Sequence, residues 1–143
     1  MAKIDDVAAA ILERQGRMST WKLQKLVYYC QAWHLVWEDR PLFSDRIEAW
    51  ANGPVVPALY SEHRGQFEAR TWHKGRPQNL KADEISTIDA VLQTYGGKPG
   101  VWLSALTHRE PPWRNARRGL AEGERGHREI TKAAMAEYYG SLV

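Results

Sequence analysis

The side chains best spaced for proton transfer are His108 and Glu110, in Thr107-His108-Arg109-Glu110-Pro111-Pro112-Trp113. A histidine and a carboxylate two residues apart on an interhelical turn can present an acid and a base together. The same residues suit a structural lock. Thr107 can cap the following turn, and Glu110 can accept backbone N–H bonds. Trp113 would pack beneath, with the prolines fixing its approach. The lock is the reading adopted, so no catalytic residue is assigned.

His34 lies between Trp33 and Trp37 on a patterned helix. Glu38 stands four residues on but completes no metal motif, so His34 reads as a half-buried histidine fixed by a hydrogen bond. His63, His73 and His127 are scattered without ligand spacing, and the chain has one cysteine. Neither a disulfide nor a cysteine zinc site can form within one chain, and no metal or cofactor is expected. Cys30 falls mid-helix on an apolar face, where a thiol is inert. No serine stands in a Gly-x-Ser-x-Gly context. Gly96-Gly97-Lys98-Pro99-Gly100 lacks phosphate-loop spacing, and Pro99 removes an N–H that such a loop needs.

These residues hang on one stretch, Thr20 to Tyr60, which holds four of the seven tryptophans: Trp21, Trp33, Trp37 and Trp50. Ser19 or Thr20 can cap a long helix ending near Glu38. Leu23, Leu26, Val27, Cys30, Trp33, His34 and Trp37 mark its apolar face; Lys22, Lys25, Tyr29, Gln31 and Glu38 fall largely off it. The wide stripe places this helix centrally, with neighbours on more than one side. Pro41 stops it. Ile47 to Trp50 reads as extended, followed by an Asn52-Gly53-Pro54 turn. Glu48 and Trp50 can anchor the rigid Gly53-Pro54-Val55-Val56-Pro57 bridge to the core.

Elsewhere, helical spacing predicts helices at about Ile4–Gln15, from Asp83 to Tyr95, at Val101–Leu106, and at Thr131–Tyr139. Pro57 and Pro112 can each open a short helical turn. Residues 64–81 read as a loop, with a strand near Gln78–Leu80 that could pair with Ile47–Trp50. Gly119 to His127 reads as a mobile loop. The fold class is therefore mainly α: one compact multi-helix domain, residues 1–143, around a central helix, with room for one short two-stranded β ribbon.

The length of 143 residues suits one domain, and the net charge of +3 demands no polyanionic partner. Arg109, Arg114, Arg117, Arg118, Arg125 and Arg128 make a basic region. Glu110, Glu122, Glu124 and Glu129 interrupt it and argue against nucleic acid. Trp21 and Trp72 fall off the core pattern. Exposed tryptophan beside arginine suits a protein interface, so Trp72, Arg114, Arg117 and Arg118 form the candidate partner surface. No signal peptide and no apolar run long enough to span a bilayer is seen, which favours the cytoplasm.

The run from Lys22 to Phe43, which opens Lys-Leu-Gln-Lys-Leu-Val-Tyr-Tyr and goes on through Trp33 and His34, and Ile-Glu-Ala-Trp-Ala-Asn-Gly-Pro-Val-Val-Pro-Ala-Leu-Tyr, from Ile47 to Tyr60, resemble the Panacea antitoxin domain, a phage-associated family with GepA-like and SocA-like members. Leu-Ser-Ala-Leu-Thr-His-Arg-Glu-Pro-Pro-Trp, from Leu103 to Trp113, is similar to the family's second landmark. The matching motif positions are Leu23, Lys25, Leu26, Tyr28, Tyr29, Trp33, His34, Glu48, Trp50, Gly53, Pro54, Val55, Tyr60, Thr107, His108, Glu110 and Trp113. The resemblance spans about Ile4 to Tyr139. Cys30 replaces a frequent alanine, and Pro111 departs from a position that is commonly acidic or polar. The resemblance implies a helical antitoxin that binds and neutralises a toxin encoded next to it, without catalysis. It also implies one alternative, an adaptor delivering the toxin to a AAA+ protease; the residue pair itself leaves another, an enzyme reversing the toxin's effect through His108 and Glu110. The chain has no spare length for an appended domain.

Overall fold

The computed structural model describes residues 1–143 and is built around α2, Thr20–Glu38. The Ser19 side chain accepts from Lys22 N and so caps the helix start. Asp39 adopts the left-handed conformation (φ 57°) and ends it, one turn-residue earlier in the chain than Pro41 alone would require. At 19 residues α2 is about 28 Å long, enough to cross a small domain. Thirteen of its residues are buried.

Burial runs around most of its circumference because neighbours stand on several sides. These are α1 (Ile4–Gln15), α4 (Ala82–Tyr95), α5 (Gly100–Arg109) and α7 (Lys132–Gly140). The short helices α3 (Pro57–His63) and α6 (Pro111–Ala116) complete the shell. One cluster of 31 buried hydrophobic residues joins these layers. Burial on this scale offsets much of the chain's ordering entropy.

The surrounding shell corrects the expected helical face. Lys25, Tyr29 and Gln31 are buried, whereas Trp37 is 45% exposed. Polar side chains can occupy the inner surface when the backbone offers partners. Gln31 accepts from Leu42 N (2.7 Å) and donates to Phe43 O (2.8 Å), folding the Pro41 turn back onto the helix. Gln24 does the same farther up: it accepts from Val56 N (2.9 Å) and donates to Val56 O (3.4 Å).

The strands also differ from expectation. β1 (Met18–Ser19) pairs with β4 (Glu68–Ala69). β2 (Ile47–Trp50) lies between β3 (Gly53–Val55) and β5 (Glu129–Ile130) in an antiparallel sheet. The register pairs Glu48 with Val55 and Ile47 with Ile130. Pro77–Asn79 forms a 3₁₀ turn, so Gln78–Leu80 is not a strand. The tight turn before Gly53 delivers β3 directly to β2, and Pro54 sits on an edge strand where its missing N–H is tolerated. In α4, which starts one residue before the expected Asp83, Glu84 reaches back to Lys81 N (2.7 Å) and caps the helix start. In α5 the buried residues are Leu103 and Thr107, while Val101 points to solvent.

Candidate functional site

Three segments converge on one flank of α2: the β2–β3 hairpin, α3, and the α5–α6 junction. Gln24 holds the hairpin's exit at Val56 and reaches His63 Nε2 of α3 (3.0 Å). Tyr29, one turn along, holds the α5–α6 junction. Its hydroxyl donates to Glu110 Oε1 (2.7 Å), and Tyr139 of α7 donates to the same oxygen (2.7 Å). Since Tyr139 gives its proton to Glu110, Tyr28 donates to Tyr139 across 3.0 Å. Tyr95 stacks on Tyr29 at 4.2 Å, and its hydroxyl accepts from Trp33 Nε1.

This arrangement replaces the expected loop lock with a different one. Glu110 is tied to two phenols, not to backbone N–H groups. Thr107 donates to Ser104 O (2.8 Å) within α5 and caps nothing downstream. Burial pushes the Glu110 carboxyl above the ordinary carboxylate range, against the lowering effect of the two phenol bonds. Burial likewise raises Tyr28, Tyr29 and Tyr139.

His108 is not joined to Glu110. Its ring stacks flat on Trp113 at 4.0 Å, and its Nε2 is buried without a hydrogen-bond partner. Trp113 in turn donates to Trp50 O (2.8 Å), tying α6 to the hairpin. Trp50 donates to Glu48 Oε1 (2.9 Å) and packs edge-on against Tyr60. His34 is wholly buried and bonded through Nδ1 to Thr87 of α4 (2.7 Å). Burial lowers both His34 and His108, which favours neutral rings. Leu23, Leu26 and Val55 are buried packing residues.

Lys25 is the outlier of this flank. It is fully buried and its Nζ has no hydrogen-bond partner. The amine lies 5.2 Å from the Trp21 ring centre. A Cβ on Gly53 would be 3.2 Å from Nζ and 3.3 Å from Thr107 Oγ1. Burial lowers the amine from 10.5 to about 7. Two open clefts share Trp21 and Asn52 as walls. One, of about 420 Å³, runs to Gly100, Ser104 and His108; the other, of about 440 Å³, runs to Trp50, Tyr60 and His127.

The candidate partner surface divides. Arg114 and Arg118 are exposed. Arg117 is 6% exposed and donates to the carbonyls of Ala49 (3.0 Å), Ala121 (3.3 Å) and Glu124. It therefore pins the following loop to β2 and offers nothing to a partner. Trp72 is half-buried, donates to Asp5 Oδ1 (2.9 Å) and packs edge-on against His63. The exposed large apolar residues are instead Trp37, Phe67, Val101 and Trp102, with the chain ends. Groups of His, Cys, Asp or Glu arranged to hold a metal are not found.

The roles of Gln24, Gln31 and Tyr139 do not follow from the sequence pattern, and Arg117 holds a loop where a partner contact is expected. Gln24 and Gln31 are seven residues apart on a helix, hence on one face, and that face is apolar. The spacing was a usable signal of inward-facing amides.

Residues 23–114 match the family model for antitoxin SocA-like, Panacea domain. The chain belongs to this family. The match is shorter than the span expected from the motifs: α1, Arg117, Arg118 and Tyr139 lie outside it. It includes α2 from Leu23 onward, the β2–β3 hairpin, α3 and α5. No curated protein and no solved structure matches the chain. No helix is long and apolar enough to cross a membrane.

Proposed function

We propose that this protein is the antitoxin of a toxin–antitoxin pair and neutralises a cognate toxin, encoded by the adjacent gene, by direct binding in the cytoplasm. Membership of the SocA-like Panacea family carries this reading. The distribution of side chains supports it. Glu110 is engaged by two tyrosines and separated in role from His108, which fits a positioning task better than proton transfer. Val101 and Trp102 are apolar and outward-facing beside the clefts, as an interface needs. Binding at nanomolar strength corresponds to about −12 kcal/mol and needs an extended, anchored surface with no chemical step.

Co-expression with the neighbouring gene tests the reading. Growth arrest by the neighbour alone, rescue by this protein and a complex stable on size-exclusion are the expected results. A harmless neighbour, or rescue without any complex, would remove direct neutralisation. Rescue that vanishes in a host lacking its AAA+ protease would replace simple blocking with proteolytic delivery.

A further inference from the structure

The most conspicuous unsatisfied group in the molecule is the Lys25 amine, buried without an acceptor. A lone buried charge is costly, and natural structures rarely leave one unpaired without cause. The two polar neighbours nearest this flank do not supply the missing acceptor. Thr107 Oγ1 gives its proton to Ser104 O and makes no bond to Nζ, and His63 Nε2 is taken up by Gln24.

The adjoining cleft is built to receive negative charge. Its far wall is the start of α5, a 10-residue helix with no side-chain cap. The first intrahelical bond into that turn starts at Leu103 N, so the N–H groups before it remain free for an outside acceptor. His108, also in the cleft wall, holds a buried Nε2 with no partner. Two features therefore favour an anion here, the amine behind Trp21 and the uncapped helix start, and His108 Nε2 can donate to it in the tautomer that carries the proton there.

The charge and shape of the place limit what fits. No arginine or lysine lines the cleft; Lys98 stands outside it, over the Trp102 ring (4.8 Å), and Lys25 is the one buried amine, behind Trp21, so a dianionic phosphate would bring more negative charge than the buried amine can offset. A carboxylate matches the single amine. The rim is apolar: Val101 is 83% exposed and Trp102 41% exposed. A free acid would gain little from that rim, whereas a protein side chain brings apolar neighbours to cover it. Resting on the antitoxin reading, we infer that the cleft between Trp21, Asn52 and the start of α5 receives one Asp or Glu side chain of the toxin, which pairs with the Lys25 amine. Trp21 is the side chain that must shift to admit it, and its position over Nζ makes it the cover of the unliganded site.

Two measurements test this. In the first, side-chain NMR follows the Lys25 Cε resonance against pH, with acetate as the probe and chloride at equal ionic strength as the control. Acetate is expected to raise the Lys25 midpoint by about 1–3 pH units. A midpoint that acetate and chloride leave equal would overturn the site. In the second, the neighbouring gene's product is captured by wild-type protein, by Lys25→Met and by Val101→Glu. Lys25→Met keeps the bulk of the buried stem; Val101→Glu alters only an exposed rim and guards against a folding defect in the first. Both variants are expected to weaken capture by at least about tenfold. Undiminished capture by both, with the acetate shift intact, would assign the carboxylate to a free acid and overturn the toxin as its source. No capture by the wild type would remove the antitoxin reading itself, and the toxin's carboxylate with it, while the acetate result would stand on its own.

Discussion

Lys25 and Gly53 are packed so closely that a Cβ on Gly53 would lie 2.5 Å from Lys25 Cε. Gly53 also has φ 124°, a backbone conformation that other residues avoid. The hairpin turn and the buried lysine stem thus occupy space that only this pairing allows. Gly53→Ala should destabilise the protein by about 1–3 kcal/mol from backbone strain alone, with displacement of Lys25 added. Urea unfolding measures it. Lys25→Ala in the same chain should recover the steric part and leave the φ part, so the two changes should not add.

The Lys25 amine makes stability depend on alkaline pH. Its folded value is about 7 and its ordinary value 10.5. Between these, the unfolded chain holds a proton that the folded chain has released. Stability therefore rises with pH through that window and is level with respect to this group below about 7 and above about 10.5. The full span corresponds to up to about 5 kcal/mol. Lys25→Met should be more stable than wild type at pH 7 and should lose this slope. Denaturant midpoints between pH 7 and 10 check it; parallel curves for the two proteins would contradict the assignment.

Helix positions were legible in the sequence because apolar spacing and stop signals agree there. Ser19 ahead of the long apolar run is an example, and Gly16 at φ 78° closing α1 is another. What was not legible was the inner polar surface of α2. By spacing and residue type Lys25, Tyr29 and Gln31 fall largely off the apolar face, yet all three are buried. Their places depend on long-range partners: Gly53, Glu110 and the Phe43 carbonyl lie 12 to 81 residues away. Pattern reading registers the period of a helix and not which backbone groups arrive from elsewhere. The same limit misplaced Arg117, which resembles its exposed neighbours until the loop carbonyls it binds are known. For His34 the helix pattern gives the hydrogen-bonded inward face but only half-burial; full burial depends on Thr87 of α4 arriving from elsewhere.

Glu110 holds α2, the α5–α6 junction and α7 through one oxygen. Glu110→Gln keeps that acceptor and removes a desolvated charge. It should leave stability at pH 7 within about 1 kcal/mol of wild type, or higher. Glu110→Ala strands two buried phenols and should cost about 2–4 kcal/mol. The wild-type carboxyl is raised when folded, so its contribution is fully present below its ordinary value of 4.5 and is lost as pH rises through the folded value. The Gln variant should lack that loss. Thermal melts from pH 4 to 7 distinguish the pair, and equal behaviour of Gln and Ala would show that the phenol bonds contribute little.

The arginine stretch is a test of burial against charge. Arg117 satisfies carbonyls of Ala49, Ala121 and Glu124 and lies 5.2 Å from the Trp113 ring centre. Arg117→Ala leaves those buried acceptors unpaired and opens space beside Trp113, so a loss of about 3–5 kcal/mol is expected. Arg114 and Arg118 bond only to nearby groups at the surface, and their reversal to Glu should move stability by no more than about 0.5 kcal/mol. Toxin rescue then reads differently for each. Loss of rescue in Arg117→Ala must track its lost stability. Loss in Arg114→Glu with Arg118→Glu, at unchanged stability, would place the basic surface in the interface. Full rescue by that double variant would confine binding to other faces, with the Val101–Trp102 rim as the first to examine.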